Sequence, residues 1–312
     1  MTGNPAKKSA VVVSYNVCDL LRACLESLKR ARESGELDEI IVVDSSSSDG
    51  SDGMVRDQYP DVALQVVANR GFGAGVNAGL AASSGDAILI LNPDTVVCPG
   101  AVNALSTSLF SSPGTGMVGP QLRYPDGTPQ PSRRRFPTAW TPVFESTILE
   151  EWLPANRWVR HYRMLDGPGH RETSVDWLVG AAMMVRREVV EQAGGLDVSF
   201  WLYGEELEWC YRIRRHGWQI RYVPDATIIH HEGSSTSQDR LKSRQEFDRG
   251  RVRAQRVIHG ERVARRTARI LRINFAIHLV REGAKWILGH RRDLRRERVS
   301  RYWTLLRSDL YG

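Results

Sequence analysis

Short hydrophobic runs alternate with amphipathic stretches along the first part of the chain. The runs at residues 10–14, 39–44, 63–68 and 86–91 predict buried strands. Leu21, Leu25 and Leu28 recur at helical spacing and predict a helix over residues 20–31, and a further helix is predicted over residues 73–83. Helices that alternate with apolar strands are typical of a mainly parallel α/β sheet with three layers.

The hydrophobic pattern changes in the middle of the chain. Residues 124–173 are rich in Pro, Arg and Trp and have no steady period, so we interpret them as a long functional loop. Beyond this loop the pattern predicts further elements. They are a strand over residues 177–186, helices over residues 187–193 and 205–216, and strands over residues 219–223 and 227–230.

Polar residues follow each predicted strand of the first half. They are Ser14, Tyr15 and Asn16 after the first strand, Asp44–Ser48 after the second, Asn69 after the third, and Asn92-Pro93-Asp94 after the fourth. Polar residues often end strands, which explains any one of these groups. A full row of them favours a binding site, because ligands of open α/β sheets gather beyond the carboxyl ends of the strands.

A glycine-rich turn raises the possibility of a dinucleotide site. The segment that begins at Gly73 and runs GAGVNA matches G-x-G-x-x-A, and Asp94 lies about where a ribose-binding acid is expected. A dinucleotide fold needs this turn after its first strand, whereas here it follows the third. We therefore expect the glycines to let the chain pass close to a sugar nucleotide, with an NAD-linked oxidoreductase as the lesser alternative.

Three further positions carry side chains suited to chemistry. Asp94 can hold Mg²⁺ or Mn²⁺ against a diphosphate, or simply form a turn after Pro93. Glu205 and Glu206 begin a helix, where acids are common as caps and where one could also act as a general base. His230 and His231 end the last strand, and alternation along a strand lets only one of them face the sheet edge with Asp94.

The charge of the chain is strongly uneven. The net charge is +7, yet residues 240–312 alone hold 21 Lys or Arg and 7 Asp or Glu. Within this tail a basic amphipathic helix is predicted, which suits either an anionic membrane surface or packing on the enzyme body. Its apolar positions at helical spacing are Ile270, Ile273, Ile277, Val280, Ala284 and Ile287. A basic tail also attracts nucleic acid, but no DNA- or RNA-binding motif accompanies it, so no nucleic-acid partner is expected.

The remaining composition narrows the class of protein. Hydrophobic residues make up 41% of the chain, which permits a substantial core. The four cysteines show no C-x-x-C spacing, so a disulfide framework or thiolate zinc site is not expected, and a reducing compartment is the simplest assumption. The short apolar run near the N-terminus predicts a buried strand rather than a signal peptide.

Seven segments, in this order, resemble family 2 of the inverting glycosyltransferases, which have the GT-A fold. They are VVVSYN, VVDSSSSDGS, NRGFGAGVNAGL, LNPDTVV, VDWLVGAAMMVRR, GGLDVSFWLYGEELEWCYRIRRHGW and VPDATIIHHEGSST. Within this family the pattern is similar to the bacterial rhamnosyltransferase branch. The resemblance implies a GT-A catalytic domain over residues 1–237, with a nucleotide-binding half at 8–120 and an acceptor-binding half at 121–237. Residues 238–312 would then form a basic helical extension.

The resemblance also implies roles for individual residues. Asp94 and His230 would hold the metal, Mg²⁺ or Mn²⁺, with Asn92 in place of the family's first Asp. Glu206 would be the catalytic base beside Glu205. The nucleotide would contact Ser14, Tyr15, Asn16, Asp44, Ser46, Asn69, Gly73, Asn77 and Asn92. The donor and acceptor pockets would include Asp126, Arg135, Trp140, Trp177, Gly180 and Trp201.

The implied reaction moves a sugar, L-rhamnose from dTDP-rhamnose, to a polyprenyl-diphosphate-linked or other cell-envelope glycan. A UDP-sugar donor is the alternative. Such an acceptor implies a cytoplasmic enzyme that lies peripherally on the inner face of the cell membrane, and the basic extension would then contact anionic lipid.

Overall fold

The computed structural model describes residues 6–167, 169–232, 240–289 and 291–311. The chain divides into two compact units. The first unit comprises Met1–Arg134, Gly167–Trp201 and Glu205–Gln238, and the second comprises Arg135–Asp166, Leu202–Gly204 and Asp239–Gly312. The last division follows Gln238, next to the boundary expected after residue 237, whereas residues 135–166 and 202–204, expected in the catalytic domain, group with the second unit. Residue 237 and the Gly-Ser-Ser-Thr end of the last motif lie outside the described residues.

The first unit is built on a large mixed sheet. In chain order the strands of this unit are β1 Lys8–Ser14, β2 Glu39–Asp44, β3 Ala63–Val66, β4 Ala87–Leu91, β5 Thr95–Val97, β6 Thr115–Arg123, β7 Pro129–Gln130, β8 Arg133–Arg134, β9 Thr173–Val175, β10 Trp177–Leu178, β11 Ala182–Arg186 and β12 Gln219–His230. Strands β8 and β10 form a separate two-stranded sheet, and the others belong to the large sheet. The main order is β3-β2-β1-β4-β11-β6-β12-β5. The pairs β3–β2, β2–β1, β1–β4 and β6–β12 are parallel, whereas β11 and β5 pair antiparallel with their neighbours.

Helices cover both faces of this sheet. Those of the first unit are α1 Cys18–Glu33, α2 Ser51–Gln58, α3 Phe72–Ala82, α4 Ala101–Phe110, α8 Arg187–Ala193 and α9 Glu205–Arg215. Ala10 and Val12 of β1 point into a core formed with α1, α2 and α4. Val11 and Val13 point to the opposite face, where α3 packs. The alternation of side chains along β1 therefore produces the three layers that the hydrophobic pattern predicted.

The glycines of the third helix serve close packing against the central strand. A methyl group at Gly75 would lie 2.6 Å from Cγ1 of Val13, and one at Gly79 would overlap Val11. The absence of a side chain at Gly75 and Gly79 therefore allows α3 to lie close to β1. This packing gives Gly75 and Gly79 a structural role, whereas the nucleotide contact expected at Gly73 stays a prediction.

Three predicted strands differ from the structure. Residues 177–186 form two strands in different sheets, because the chain turns at residues 179–181 between β10 and β11. Residues 219–230 form one strand instead of two, although its register against β6 shifts between Val223 and Thr227. Pro224 lies within this shift and lacks the N–H that an unbroken ladder requires. The short strand β5 was not predicted at all.

The second unit is helical. It contains α5 Thr141–Phe144, α6 Ile148–Trp152, α7 Arg157–Tyr162, α10 Arg240–His259, α11 Glu261–Ile287 and α12 Arg292–Arg307. Its core joins residues of α10, α11 and α12 with the end of the chain, and these are Val252, Ala264, Ala268, Leu271, Phe275, Leu305 and Leu310. Residues 135–166 belong to this unit through contacts such as Arg251 with Glu145, at 3.2 Å. The predicted long loop thus contains the three short helices α5, α6 and α7.

Helix α11 packs on the rest of its unit with a different face from the apolar face that its sequence pattern indicated. Its buried positions include Ala264, Ala268, Leu271 and Phe275, whereas the apolar positions that the sequence singled out lie on the other face. Of these, Ile270 is half-buried, and Ile273, Ile277, Val280, Ala284 and Ile287 are exposed. None of the helices in the described part of the chain is long and apolar enough to cross a membrane.

Candidate functional site

An aspartate and a histidine meet where β5 pairs with β12. Thr95 lies opposite His230 in the antiparallel register, and the N–H of His231 donates to the backbone oxygen of Asp94 at 2.9 Å. Nε2 of His230 consequently lies 3.3 Å from Oδ1 of Asp94, and both side chains are buried. His231 is partly exposed. Residues distant in sequence are thus brought together by one short strand.

The other ring nitrogen of this histidine has a partner that sequence reasoning missed. Nδ1 of His230 lies 2.9 Å from Oε1 of Gln130, and Nε2 of Gln130 donates to Glu232 at 2.8 Å. Gln130 lies on β7, which the Asp126-Gly127 turn folds back onto β6. An Asp-Gly dipeptide is a known hairpin signal, so the turn could have been predicted from sequence, though not the contact.

Asp94 and His230 could supply two of the ligands of a metal ion. Oδ1 of Asp94 is buried without a hydrogen-bond partner, although a cationic or donor group is needed there to offset the cost of burial. Carboxylate oxygen and imidazole nitrogen both ligate Mn²⁺ and related ions. Within the described ranges no group of three or more His, Cys, Asp and Glu side chains gathers in metal-binding geometry. The pair therefore suits a cation whose remaining ligands are water and substrate phosphate.

The two glutamates at the start of α9 have different surroundings. Glu205 is buried, and its Oε2 has no hydrogen-bond partner. Burial, together with the charge of Glu206, raises the pKa of Glu205 well above its usual value. Glu206 is partly exposed and lies beside Gly180, where an added Cβ would be 3.5 Å from its Cγ. The neighbouring Ala181 oxygen accepts from the N–H of Asn92 at 2.9 Å, which links this segment to the Asn92-Pro93-Asp94 turn.

Hydrogen bonds join the loop after β1 to the loop after β2. The N–H of Asn16 donates to Oγ of Ser47 at 2.9 Å, and the Asn16 side chain accepts from the N–H of Ser48 at 2.7 Å. Asp44 is buried and accepts both the N–H and the hydroxyl of Ser47. The predicted nucleotide residues of this region lie together, with Ser14 buried, Tyr15 exposed, and the Ser46 hydroxyl donating to Val67.

The predicted residues around α3 have mainly local partners. The Asn69 side chain accepts the N–H of Gly71 at 3.2 Å. Both ends of the Asn77 amide bond to the backbone of Leu196, each at 2.8 Å, so this side chain fixes residue 196 to α3. A Cβ at Gly73 would contact Leu196 at 3.3 Å. Nucleotide contacts of these residues remain predictions.

The predicted donor and acceptor residues fall into both units. Trp177 is buried on β10, opposite Arg134, and the exposed Asp126 accepts the N–H and hydroxyl of Thr128 within the β6–β7 turn. Trp201 is partly exposed, and its oxygen accepts the N–H of Phe72 at 3.1 Å. Arg135 and Trp140 belong to the second unit, where Arg266 lies 4.2 Å above the Trp140 ring.

Comparison with protein families finds a match that spans most of the chain. Residues 5–247 match the model described as Glycosyltransferase like family 2. A relative in Mycobacterium tuberculosis (strain CDC 1551 / Oshkosh), named N-acetylglucosaminyl-diphospho-decaprenol L-rhamnosyltransferase, is 33% identical over 241 residues. The matched region covers 73% of this chain and 77% of that relative.

Solved structures with a similar fold come from sugar-transferring enzymes. The mannosyltransferase PcManGT of Pyrobaculum calidifontis, in complex with GDP-Man and Mn²⁺, has a TM-score of 0.52 and 18% identity, covering 97% of this chain and 86% of its own. GalNAc-T7 with UDP, GalNAc and Mn²⁺ has a TM-score of 0.56 and 18% identity, covering 72% of this chain. This chain spans only 43% of GalNAc-T7. These likenesses confirm the expected GT-A fold.

Proposed function

The chain belongs to the family described as Glycosyltransferase like family 2, and we propose that it is an inverting L-rhamnosyltransferase that uses dTDP-rhamnose. The acceptor is a hydroxyl group of a polyprenyl-diphosphate-linked or other cell-envelope glycan. The donor sugar and the lipid-linked acceptor are supported by the name of the Mycobacterium tuberculosis relative, which matches 73% of this chain. A UDP-sugar is the alternative donor.

The observation that carries the proposal is the buried Asp94–His230 pair, with its unpartnered carboxylate oxygen. Asp94 and His230 would hold Mg²⁺ or Mn²⁺, which when bound offsets the negative charge on the leaving diphosphate. Mn²⁺ in the structures of GalNAc-T7 and PcManGT supports a divalent cation in this fold. Nucleotide binding falls to the joined loops after β1 and β2, where Asp44 is buried and fixed.

Glu206 is the base of the proposed reaction. Its carboxylate takes the proton of the acceptor hydroxyl, whose oxygen forms the new bond to the anomeric carbon. The bond from that carbon to the diphosphate oxygen breaks, and its electron pair leaves with the nucleoside diphosphate on the opposite face. Glu205 suits this role less well, because its side chain is buried, whereas Glu206 is partly exposed and can meet an acceptor hydroxyl.

Matched substitutions of the two glutamates test this assignment. Glu206→Gln is expected to lower kcat by about 10²–10⁴-fold, the usual contribution of a general base, while binding of dTDP stays near that of the unmodified enzyme. Glu205→Gln, the control, is expected to keep most of the turnover. The measurement is release of dTDP from dTDP-rhamnose, with calorimetric titration of dTDP. Loss of turnover in Glu205→Gln with retention in Glu206→Gln would place the base at residue 205.

A donor panel tests the substrate and stereochemistry. The enzyme is incubated with dTDP-rhamnose or with UDP-sugars, together with an N-acetylglucosaminyl-diphospho-polyprenol, and nucleoside-diphosphate release is measured. We expect release with dTDP-rhamnose, dependent on Mg²⁺ or Mn²⁺, and a product anomer of opposite configuration by NMR. Faster release from a UDP-sugar would replace the donor while leaving the family intact.

Contact with an anionic membrane surface, at its inner face, is the second part of the proposal. The exposed apolar stripe of α11, formed by Ile273, Ile277, Val280, Ala284 and Ile287, is surrounded by exposed basic residues such as Arg269 and Arg272. An exposed apolar stripe with flanking arginines is typical of helices that lie in the lipid interface. Basic residues near an anionic surface contribute about 1 kcal/mol each. A lipid-linked acceptor supports the same location.

A further inference from the structure

We propose that Gln130 and Glu232 are positioning residues that fix the tautomer and the direction of His230, so that its Nε2 lone pair is presented to the cation beside Asp94. The inference rests on the metal site of the proposed function. It extends that site by two residues that contact neither donor nor cation and act through the histidine.

The three side chains form a continuous series of hydrogen bonds. Nδ1 of His230 and Oε1 of Gln130 are 2.9 Å apart, and Nε2 of Gln130 is 2.8 Å from Oε2 of Glu232. Gln130 and His230 are buried, whereas Glu232 is exposed, so the series runs from the site to the surface. Tyr124 also bonds to Glu232, and burial together with the charge of that carboxylate raises the pKa of Tyr124.

The hydrogen-bonding capacity of each group sets the direction of the whole series. Nε2 of Gln130 donates to Oε2 of Glu232, so the end of Gln130 that faces this residue is the amide NH₂ group. The other end of Gln130 is then its oxygen, which can only accept from Nδ1–H of His230. With the proton on Nδ1, the neutral imidazole carries its lone pair on Nε2, the atom that faces Asp94.

In this tautomer His230 has no proton on Nε2 to donate to Asp94. Nε2 lies 3.3 Å from Oδ1 of Asp94, yet that oxygen has no hydrogen-bond partner. Two lone pairs that face each other in a buried site are unfavourable unless a cation lies between them. Metal-ligating histidines usually donate their second N–H to an oxygen acceptor, and loss of that acceptor typically costs 10- to 100-fold in metal affinity. Gln130 supplies this acceptor here.

The hairpin between β6 and β7 explains how the series is held. Leu122 of β6 pairs with Gln130 of β7, and β6 also pairs with β12, which ends at His230. The amide of Gln130 is therefore attached to the same sheet as the histidine that it orients. A surface loop would leave the amide free to rotate, whereas a strand position fixes it.

A charge-exchanged pair of variants tests the proposal. Gln130→Met keeps a similar volume but removes the acceptor, and should weaken Mn²⁺ binding by about 10–100-fold. The double variant Q130E/E232Q rebuilds the series, because the new carboxylate accepts from Nδ1–H and from the new amide; its Mn²⁺ affinity should return close to that of the unmodified protein. Free Mn²⁺ is titrated by electron paramagnetic resonance in the presence of dTDP, and spin-echo spectra report the coupling to the histidine nitrogen. Thermal unfolding checks that each variant folds.

Each outcome separates the positioning role from the metal site itself. Tight Mn²⁺ binding by Gln130→Met, or a double variant as weak as Gln130→Met, would overturn the role of Gln130 and Glu232. His230→Ala serves as the reference for loss of the ligand. If His230→Ala weakens binding and Gln130→Met does not, only the positioning role fails. If the unmodified protein itself binds no Mn²⁺, the metal dependence of the proposed function fails with it.

Discussion

Removal of the exposed apolar stripe of α11 should release the protein from lipid. The triple variant Ile273→Ser, Val280→Ser and Ile287→Ser changes side chains that are 60%, 71% and 75% exposed, so the fold of the helical unit does not depend on them. Full burial of a Val or Ile side chain contributes about 1.5–3 kcal/mol, so each exposed part contributes about 1–2 kcal/mol in lipid. Three such losses amount to roughly 3–6 kcal/mol, or at least a ~100-fold fall in the partition coefficient at about 1.4 kcal/mol per tenfold.

The assay is flotation of the full-length protein with vesicles of phosphatidylglycerol and phosphatidylcholine. Val66→Ser is the matched control, because Val66 is 47% exposed on the edge strand β3 of the other unit. The unmodified protein and Val66→Ser should float together, and binding of both should weaken with salt because the tail is basic. If the triple variant floats as well as the unmodified protein, or if Val66→Ser falls equally, the stripe does not contact lipid.

Three further predictions follow from the packing and charges of the first unit. Gly79→Ala should destabilise the fold by about 1–2 kcal/mol, because the added methyl overlaps Val11 and this overpacking outweighs the gain in helix propensity. The control, Gly53→Ala in α2, has open space around it and should be neutral or slightly stabilising. Equal unfolding midpoints of the two variants would refute this account. Because the pKa of Glu205 is raised in the folded state, Glu205 destabilises the fold increasingly as the pH rises above the pKa of an unfolded glutamate, about 4.3. The unfolding temperature of Glu205→Gln should therefore exceed that of the unmodified protein by more at neutral pH than near pH 4. A difference that stays constant with pH would contradict the burial argument. Asp94→Asn should weaken Mn²⁺ binding in the presence of dTDP, because it removes the charge of a buried ligand, and unchanged Mn²⁺ affinity by titration would exclude Asp94 as a ligand.

Some of the site could be predicted because local pattern is enough to define it. Strands β1, β2 and β4 are buried on both faces, so their sequences consist almost entirely of hydrophobic residues and were recognised as apolar runs. The acids that begin α9 and the polar residues that follow the strands were recognised from position alone. The motif order then identified the family, which the match over residues 5–247 confirms.

Contacts between distant residues decided the rest. The three-residue strand β5 has too few residues to show a period, yet its pairing with β12 brings Asp94 to His230. Gln130 gave no signal as a partner of His230, because only the β6–β7 hairpin places it there.

Where helices and strands can form depends on neighbours along the chain, so the amino-acid pattern was enough to predict many of them. Which face of α11 is covered depends on packing: Ala268 and Phe275 pack inward, and Ile273 and Val280 are exposed. The tertiary structure likewise assigned Gly75 and Gly79 to the contact with β1. A side chain has one identity in the sequence, but its role depends on what the fold packs against it.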